Sequence, residues 1–165
     1  MPWFMLTMNA AIDAIIAHLH EELTTASAAS EQAHASATHS ENVADNKYDT
    51  LAVEAAYLAH GQSVRITQLQ QSIASYRQLM SIRRPDTASI HVGHTVTILD
   101  ANDKPQRLFI GPSAGGIRLL IDDLEILTIT PQTPMGKALM GKAVDDEITL
   151  AVGANRKYFV VTGIC

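Results

Sequence analysis

Two stretches decide the fold, IDAIIAHLHEELTTASAASEQAHASA at residues 12–37 and AVEAAYLAHGQSVRITQLQQSIASYRQLM at residues 52–80. In each stretch, apolar or small residues recur at alternating steps of three and four, the spacing of one helix face. The first stripe is Ile12, Ile16, Leu19, Leu23, Ala26, Ser30, Ala33 and Ala37; the second is Ala52, Ala55, Ala59, Gln62, Ile66, Leu69, Ile73, Tyr76 and Met80.

The two stripes mirror each other about one midpoint. Small Ala37 pairs with small Ala52, and the series continues outward until large Ile12 pairs with large Tyr76. Each large residue contributes roughly 1.5–3 kcal/mol when it is fully buried. The symmetry predicts an antiparallel hairpin of two helices with its hinge near residues 44–45. The alternative is a coiled coil between separate chains, which does not require mirrored sizes.

The residues between the two predicted helices are expected to form the hairpin tip, near residues 40–50. Three carboxylates fall there, on Glu41, Asp45 and Asp49, together with Asn46 and Tyr48. A two-helix tip is solvated on most sides, so it encloses no pocket of its own. Exposed acids are usually helix caps or solubilising surface, but on a thin hairpin they are also placed to reach into a partner.

The composition of the chain changes near Pro85. Residues 8–80 are rich in Ala, Ser, Gln and Leu and contain no proline, whereas residues 86–165 are rich in Val, Ile, Thr and Gly. Proline ends a helix at the preceding residue. We therefore predict a coiled-coil finger at residues 8–82 and a second domain at residues 86–165.

Strand-like patterns fill the second domain. The candidates are residues 91–99, 106–111, 117–121, 124–130, 147–152 and 157–163. His91 and His94 are expected on opposite faces of the first strand, and residues 111–116 are expected to form a hairpin loop.

A short helix is predicted between two of these strands. Thr133 is suited to the helix cap, Pro134 to the first helical position and Gly141 to the stop. The predicted fold is α+β, with a helical hairpin followed by an antiparallel sheet that one short helix interrupts.

Charge and composition exclude several classes of protein. The net charge is −5 and no Lys or Arg precedes Lys47, which argues against nucleic-acid binding by a basic face. The single cysteine, Cys165, allows no internal disulfide and fits a reducing compartment. No apolar run is long enough for a membrane span, and the apolar residues 1–6 lack the basic flank of a secretory signal. We expect a cytoplasmic monomer without membrane contact or a metal site of its own.

Residues 133–147, TPMGKALMGKAVDDE, resemble the C-terminal signature of the Gre family of bacterial transcript-cleavage factors. That signature runs Ser-Pro, two variable residues, Ala-Leu-Leu-Gly-Lys, and then Gly-Asp-Glu before a strand. The matching residues are Pro134, Ala138, Leu139, Gly141, Lys142, Val144, Asp146 and Glu147. Residues 92–97, VGHTVT, are similar to the opening strand of the same domain.

The resemblance implies an FKBP-like C-terminal domain that docks on RNA polymerase at the rim of its secondary channel. By analogy with the family, Thr133, Pro134 and Met135 touch the polymerase while the finger enters the channel. The chain would then be no enzyme, although it would stimulate the nuclease activity of the polymerase.

The resemblance also implies a role for the acidic tip. Asp45, Asp49 and Glu41 would help to hold Mg²⁺ in the polymerase active centre, supported by Asn46 and Tyr48, because Mg²⁺ prefers oxygen ligands. The chain would need no cofactor of its own. RNA polymerase and the nascent RNA 3′ end are the implied partners, and cleavage of backtracked RNA is the implied reaction.

Two alternatives remain open on the sequence. The chain lacks the Gly-Asp-Leu that precedes the tip acids in the family, and Lys47 lies among the acids. Both departures favour a channel-binding regulator of initiation without cleavage activity. A prolyl isomerase or chaperone of the FKBP-like fold is the other alternative, with Phe109, Tyr158 and Phe159 as the aromatic residues of its domain.

Overall fold

The computed structural model describes residues 8–41, 50–83 and 86–165. Two long helices come first, followed by six strands with one short helix among them. In chain order the elements are α1 (Met8–Glu41), α2 (Thr50–Ser81), β1 (Thr95–Asp100), β2 (Pro105–Ile110), β3 (Arg118–Ile121), β4 (Leu124–Ile129), α3 (Pro134–Leu139), β5 (Glu147–Val152) and β6 (Asn155–Ile164). This is the predicted α+β class and order of elements.

The predicted seams of α1 and α2 are confirmed by burial. Every residue of the two stripes whose side chain is described is buried or half-buried, and the buried ones are all large: Ile12, Leu19, Leu69, Ile73 and Tyr76. An ion pair joins Glu22 of α1 to Arg65 of α2. These two residues precede Leu23 and Ile66, a predicted pair, so the ion pair agrees with the predicted antiparallel register.

The contacts divide the chain into two compact units. Residues 17–73 form one unit, made of the larger parts of α1 and α2. The other unit contains the chain up to Ile16 and from Ala74 onward, so the bases of both helices group with the sheet. Ala11 and Ile15 lie outside the predicted stripe and are nevertheless fully buried, because this part of α1 belongs to the sheet-containing unit.

The six strands form one sheet in the order β3-β4-β2-β1-β6-β5. Four of the five neighbouring pairs are antiparallel, as predicted. The exception is β2 with β4, which run parallel with Leu108 opposite Leu127. Residues 111–116 are therefore not the predicted hairpin loop. They carry the chain past β4 to β3, because β3 pairs with the far side of β4.

The start of the first strand differs from the prediction. β1 begins at Thr95, and His91 to His94 form a turn in which Gly93 has a φ of 98°. The His91 amide donates to Nδ1 of His94 over 2.9 Å, and the two rings meet edge to face at 5.9 Å. The prediction of opposite strand faces is thus wrong, since the left-handed glycine ends the extended run.

The base of α2 packs on the sheet through Tyr76. Its ring stacks on Phe109 of β2, with the ring centroids 6.5 Å apart. Its hydroxyl donates to the carbonyl oxygen of Ser113 over 2.8 Å, and Ser75 meets the Ser113 hydroxyl at 2.8 Å. Burial raises the pKa of Tyr76, so its hydroxyl remains a donor across the ordinary pH range.

Gly111 makes this approach of helix and sheet possible. A Cβ at position 111 would overlap the Tyr76 hydroxyl, and it would lie 2.9 Å from Cζ of that ring and 3.2 Å from Cγ2 of Thr128. The contact therefore depends on the absence of a side chain at Gly111 on the sheet and on the aromatic ring of Tyr76 on α2.

The packing of Gly111 against Tyr76 predicts a coupled pair of substitutions. We expect Gly111→Ala to lower the free energy of unfolding by about 1–3 kcal/mol through overpacking. We expect Tyr76→Phe to lower it by about 1–2 kcal/mol, because the Ser113 carbonyl loses its donor. The double variant should lose less than the two single losses combined, since removal of the hydroxyl relieves part of the overlap. Urea unfolding followed by circular dichroism measures all three.

Gly136→Ala is the matched control for this cycle. A Cβ there would overlap the backbone carbonyl of Thr130, which no change at Tyr76 can move. The loss in free energy of unfolding caused by Gly136→Ala should add to the loss caused by Tyr76→Phe, with no coupling between the two substitutions. Strict additivity in the Gly111 cycle would contradict the proposed contact.

Candidate functional site

The segment that carries the signature begins with a complete helix cap. Thr133 precedes α3 in an extended conformation, and its Oγ1 accepts from the Gly136 amide over 3.0 Å. The same hydroxyl donates to the carbonyl oxygen of Thr130 over 2.8 Å. Pro134 follows at the first helical position, where its missing N–H costs nothing. The short predicted helix is confirmed.

The middle of α3 lies directly on the chain that precedes it. Gly136 is buried, and a side chain there would overlap the Thr130 carbonyl. Leu139 is fully buried in the core formed by the sheet, while Met135 and Ala138 are half-buried against that core. The helix is therefore held as a rigid part of the domain, with its first turn at the surface.

The end of α3 is tied to the residues before β1. The Met140 amide donates to the Gly136 carbonyl over 2.9 Å, and Gly141 follows with a φ of 77°. The Gly141 amide donates to the carbonyl of Ile90 over 2.9 Å, and the Ile90 amide donates to the carbonyl of Lys142 over 2.8 Å. These reciprocal bonds connect the signature segment to the start of the domain.

Asp146 stabilises the last part of the signature through two hydrogen bonds to backbone amides. Its Oδ2 accepts from the Ala143 amide over 2.8 Å, and its carbonyl accepts from the Val161 amide over 3.0 Å. Asp145 takes a φ of 71°, which fits the Asp at this turn because Asp tolerates the left-handed region better than most residues. Most matched residues of the signature thus have an identifiable structural task.

Thr133, Pro134 and Met135, the three residues expected to touch the polymerase, differ in solvent exposure. Pro134 is exposed, whereas Thr133 and Met135 are half-buried. The Thr133 hydroxyl already has two partners within the chain. Pro134 is therefore the one of the three whose surface is most available, and the contact itself stays a prediction.

The other candidate residues lie at the predicted tip. Asp45, Asn46, Tyr48 and Asp49 fall outside the described residues, and Glu41 is described only as the last residue of α1. Their predicted roles stay predictions.

The hairpin unit carries the whole net charge of the chain. Residues 17–73 contain seven acidic and two basic side chains, whereas the remaining residues contain ten of each. One of the two basic side chains, Arg65, is already paired with Glu22, which also meets His18 at 3.1 Å. The unit therefore has a strongly negative net charge.

Within residues 8–41, 50–83 and 86–165, no three His, Cys, Asp or Glu side chains are grouped as a metal site. None of the helices in this part of the chain is long and apolar enough to cross a membrane.

The aromatic residues of the sheet domain do not converge on one surface. Phe109 is buried beneath Tyr76, Phe159 is buried in the core and Tyr158 is 58% exposed. Adjacent residues of a strand point to opposite faces. This arrangement gives no support to the aromatic-lined pocket of a prolyl isomerase.

Sequence reasoning missed three structurally decisive positions. Gly111 and Gly136 permit close backbone approach, and His94 is fully buried with Nδ1 accepting a backbone bond. The close approach at Gly136 could have been predicted, because glycine is unfavourable in a helix interior and its presence within α3 indicates a packing reason. Nothing in the local sequence distinguishes Gly111 from an ordinary turn glycine.

Comparison with known proteins identifies the class. Residues 85–164 match the family model described as transcription elongation factor, GreA/GreB, C-terminal. The region spans the sheet, α3 and the signature segment. These residues are a Gre-type C-terminal domain.

Two relatives extend the match beyond that domain. The transcription elongation factor GreA of Sphingopyxis alaskensis is 33% identical over 111 residues, covering 64% of this chain and 66% of that protein. GreA of Novosphingobium aromaticivorans is 33% identical over 112 residues, again covering 64% and 66%. The matched length exceeds the part of the chain that follows α2, so it includes helical residues. Residues 85–164 thus belong to the Gre-type family, and the chain as a whole is similar to these transcription elongation factors and spans 66% of their length, just under two thirds.

Among solved structures, the chain is similar to the transcription factor Gfh1, with a TM-score of 0.39 and 20% identity over 92% of this chain and 93% of that one. Gfh1 of Thermus aquaticus gives a TM-score of 0.40 and 20% identity over 89% and 91%. The assignment to the family rests on the sequence matches.

The cap of α3 predicts the behaviour of two substitutions. Thr133→Ala removes both bonds of the hydroxyl, and we expect it to lower the free energy of unfolding by about 1 kcal/mol, the usual effect of losing an N-cap. Thr133→Ser keeps the oxygen and should lose much less. Thermal and urea unfolding of both variants measure the difference, and equal losses would contradict the capping role.

Proposed function

We propose that this chain binds RNA polymerase as a regulator of transcription elongation. The observation that carries the proposal is the match of residues 85–164 to the Gre-type C-terminal domain, joined to a two-helix hairpin in the same chain. The domain would dock at the rim of the secondary channel through the exposed first turn of α3, with Pro134 at its centre. The hairpin would enter the channel.

The acidic tip would act on a metal that the polymerase holds. Carboxylates of Glu41, Asp45 and Asp49 are the oxygen ligands that Mg²⁺ prefers, and such an ion is commonly bound by one or two carboxylates with water and phosphate. The ion would activate water for attack on the RNA phosphate. This chain would add ligands, with Asn46 and Tyr48 supporting the tip, and the cleavage chemistry would belong to the polymerase.

The charge distribution argues for a protein partner over direct RNA binding. A hairpin with seven acidic and two basic side chains repels a phosphate backbone. Contact with the nascent RNA 3′ end would therefore be made through the polymerase-bound metal and not through basic side chains of the hairpin.

A second candidate is a regulator that occupies the channel without stimulating cleavage. The favouring observation is Lys47, which places a positive charge between Asp45 and Asp49. A lysine at this position competes with a cation for the neighbouring carboxylates and lowers their capacity to hold Mg²⁺.

Removal of the tip acids tests whether these acids act on the polymerase-bound metal or serve only as helix caps and surface. We expect the pair Asp45→Ala and Asp49→Ala to bind polymerase core with affinity close to that of the unchanged chain, while RNA cleavage in a stalled, backtracked complex falls at least about tenfold. A tenfold loss corresponds to about 1.4 kcal/mol of transition-state stabilisation. Binding is measured by competition for core polymerase, and cleavage by gel analysis of labelled RNA.

The pair Glu31→Ala and Glu54→Ala is the matched control. It removes the same charge from exposed positions of α1 and α2. If the control reduces cleavage as much as the tip pair, general charge and not tip ligation is responsible. If the unchanged chain binds polymerase and stimulates no cleavage, the second candidate is correct. Absence of binding would contradict both.

A negative charge added to the first turn of α3 tests whether this turn contacts the polymerase. Pro134→Glu keeps a residue suited to the first turn of a helix, and we expect it to weaken polymerase binding at least tenfold. Gln132→Glu adds the same charge two residues earlier at another exposed position and should have little effect. Equal effects of the two variants would remove Pro134 from the proposed contact.

A further inference from the structure

The part of α2 that belongs to the hairpin unit exposes large apolar side chains along one line of the helix. Val53, Tyr57 and Val64 are 56%, 75% and 44% exposed, and together they form an outer stripe. Because successive residues of an α-helix are turned by about 100°, these three lie within roughly 40° of one another around the axis. Apolar side chains grouped in this way mark an interaction surface, whereas scattered single ones do not.

The outer stripe is separate from the seam that α2 forms with α1. In the same stretch the seam residues are Ala55, Ala59 and Gln62, which are half-buried. They lie on the opposite side of α2, about half a helical turn from the outer stripe. The pairing of the two helices therefore leaves the stripe in water. Contact with water is unfavourable roughly in proportion to apolar area, so a partner that covers the stripe gains free energy.

Charge restricts what can cover the outer stripe. Residues 55–64 contain no Asp, Glu, Lys or Arg, whereas the unit around them has seven acidic and two basic side chains. Glu21, Glu31 and Glu54 of that unit are exposed. A fitting partner therefore presents an apolar surface flanked by cationic side chains, because complementary charges favour association and like charges oppose it. A phosphate backbone and a second copy of this chain both carry the wrong charge.

The size of the outer stripe argues against a partner that is held by this contact alone. A stable interface takes about 800 Å² and about 20–30 residues from each side, which three side chains do not supply. A small contact is sufficient when another part of the same chain already holds the partner, because the tether raises the effective concentration. The Gre-type domain at residues 85–164 would be that other part.

We propose that the outer stripe packs on an apolar, cation-flanked segment of the RNA polymerase on which the C-terminal domain docks. This rests on the polymerase binding proposed above and adds to it a second point of attachment, on α2. The contact involves one side of the helix only, so it would also fix the rotation of the hairpin about its own axis. The tip would then meet its target in one orientation.

Polar substitution of the outer stripe tests the proposal in the full chain. Tyr57→Gln combined with Val64→Gln removes apolar area and introduces a good helix former. We expect this variant to bind core polymerase about tenfold more weakly, the effect of losing roughly one buried apolar side chain. Tyr57→Phe combined with Val64→Leu keeps the apolar area and should bind like the unchanged chain. Competition for core polymerase measures binding, and circular dichroism verifies the helix content of each variant.

Leu58→Gln is the matched control, since Leu58 is 64% exposed on the same helix. It lies about 100–140° from the outer stripe around α2, so the same loss of apolar area there should leave binding unchanged. Equal weakening by the control and the stripe variant would overturn the proposal. Undiminished binding by the stripe variant would overturn it too and leave polymerase binding intact, whereas absence of binding by the unchanged chain would overturn both. A dimer of the unchanged chain in sedimentation that Tyr57→Gln with Val64→Gln dissociates would assign the stripe to a second copy and also overturn the proposal.

Discussion

The approach of Tyr76 to Gly111 is the constraint on which the sheet-containing unit depends most directly. A buried ring, a protonated hydroxyl and a residue without Cβ must coincide for the base of α2 to reach β2. The same hydroxyl fixes the Ser113 carbonyl in the segment that crosses to β3. Tyr76 thus sets the distance between α2 and the sheet, and it also contacts the segment that leads from β2 to β3. In proteins packed at crystal-like density, such a contact tolerates little change in volume.

The hairpin unit is built on a different principle. Its large apolar residues, including Leu19 and Leu69, lie at the end of residues 17–73 that is nearest the base, and towards the hinge the seam consists of Ala, Ser and Gln. Because stabilisation by burial scales with apolar area, local stability must decrease along the helices from Leu19 and Leu69 towards the hinge. Small side chains also keep the pair narrow. A segment that has to enter a confined space would combine these two properties at the expense of stability.

Sequence reasoning predicted what is encoded locally. The two stripes of α1 and α2, the cap at Thr133 and most strand positions follow from the spacing and type of residues within a few turns of chain. The parallel pairing of β2 with β4 does not, because it depends on which edge a distant strand occupies. Residues 91–94 were predicted to open a strand that continues through the regular pattern from Thr95, but Gly93 takes a positive φ and the strand begins only at Thr95. The signature segment was recognisable for the same reason that it is stable, since Pro134, Leu139, Gly141 and Asp146 each satisfy a local demand of the fold.

The partition of charge has a kinetic consequence. The unit that contains the sheet is electrically neutral overall, whereas residues 17–73 hold all of the excess negative charge. The long-range field of a cationic surface therefore pulls on the two helices and leaves the neutral part nearly unaffected. At physiological ionic strength this pull is felt over a screening length of about 8 Å, and it lengthens as salt is diluted. Encounters in such a field are steered, so a collision that begins with the helices is favoured before any specific contact has formed.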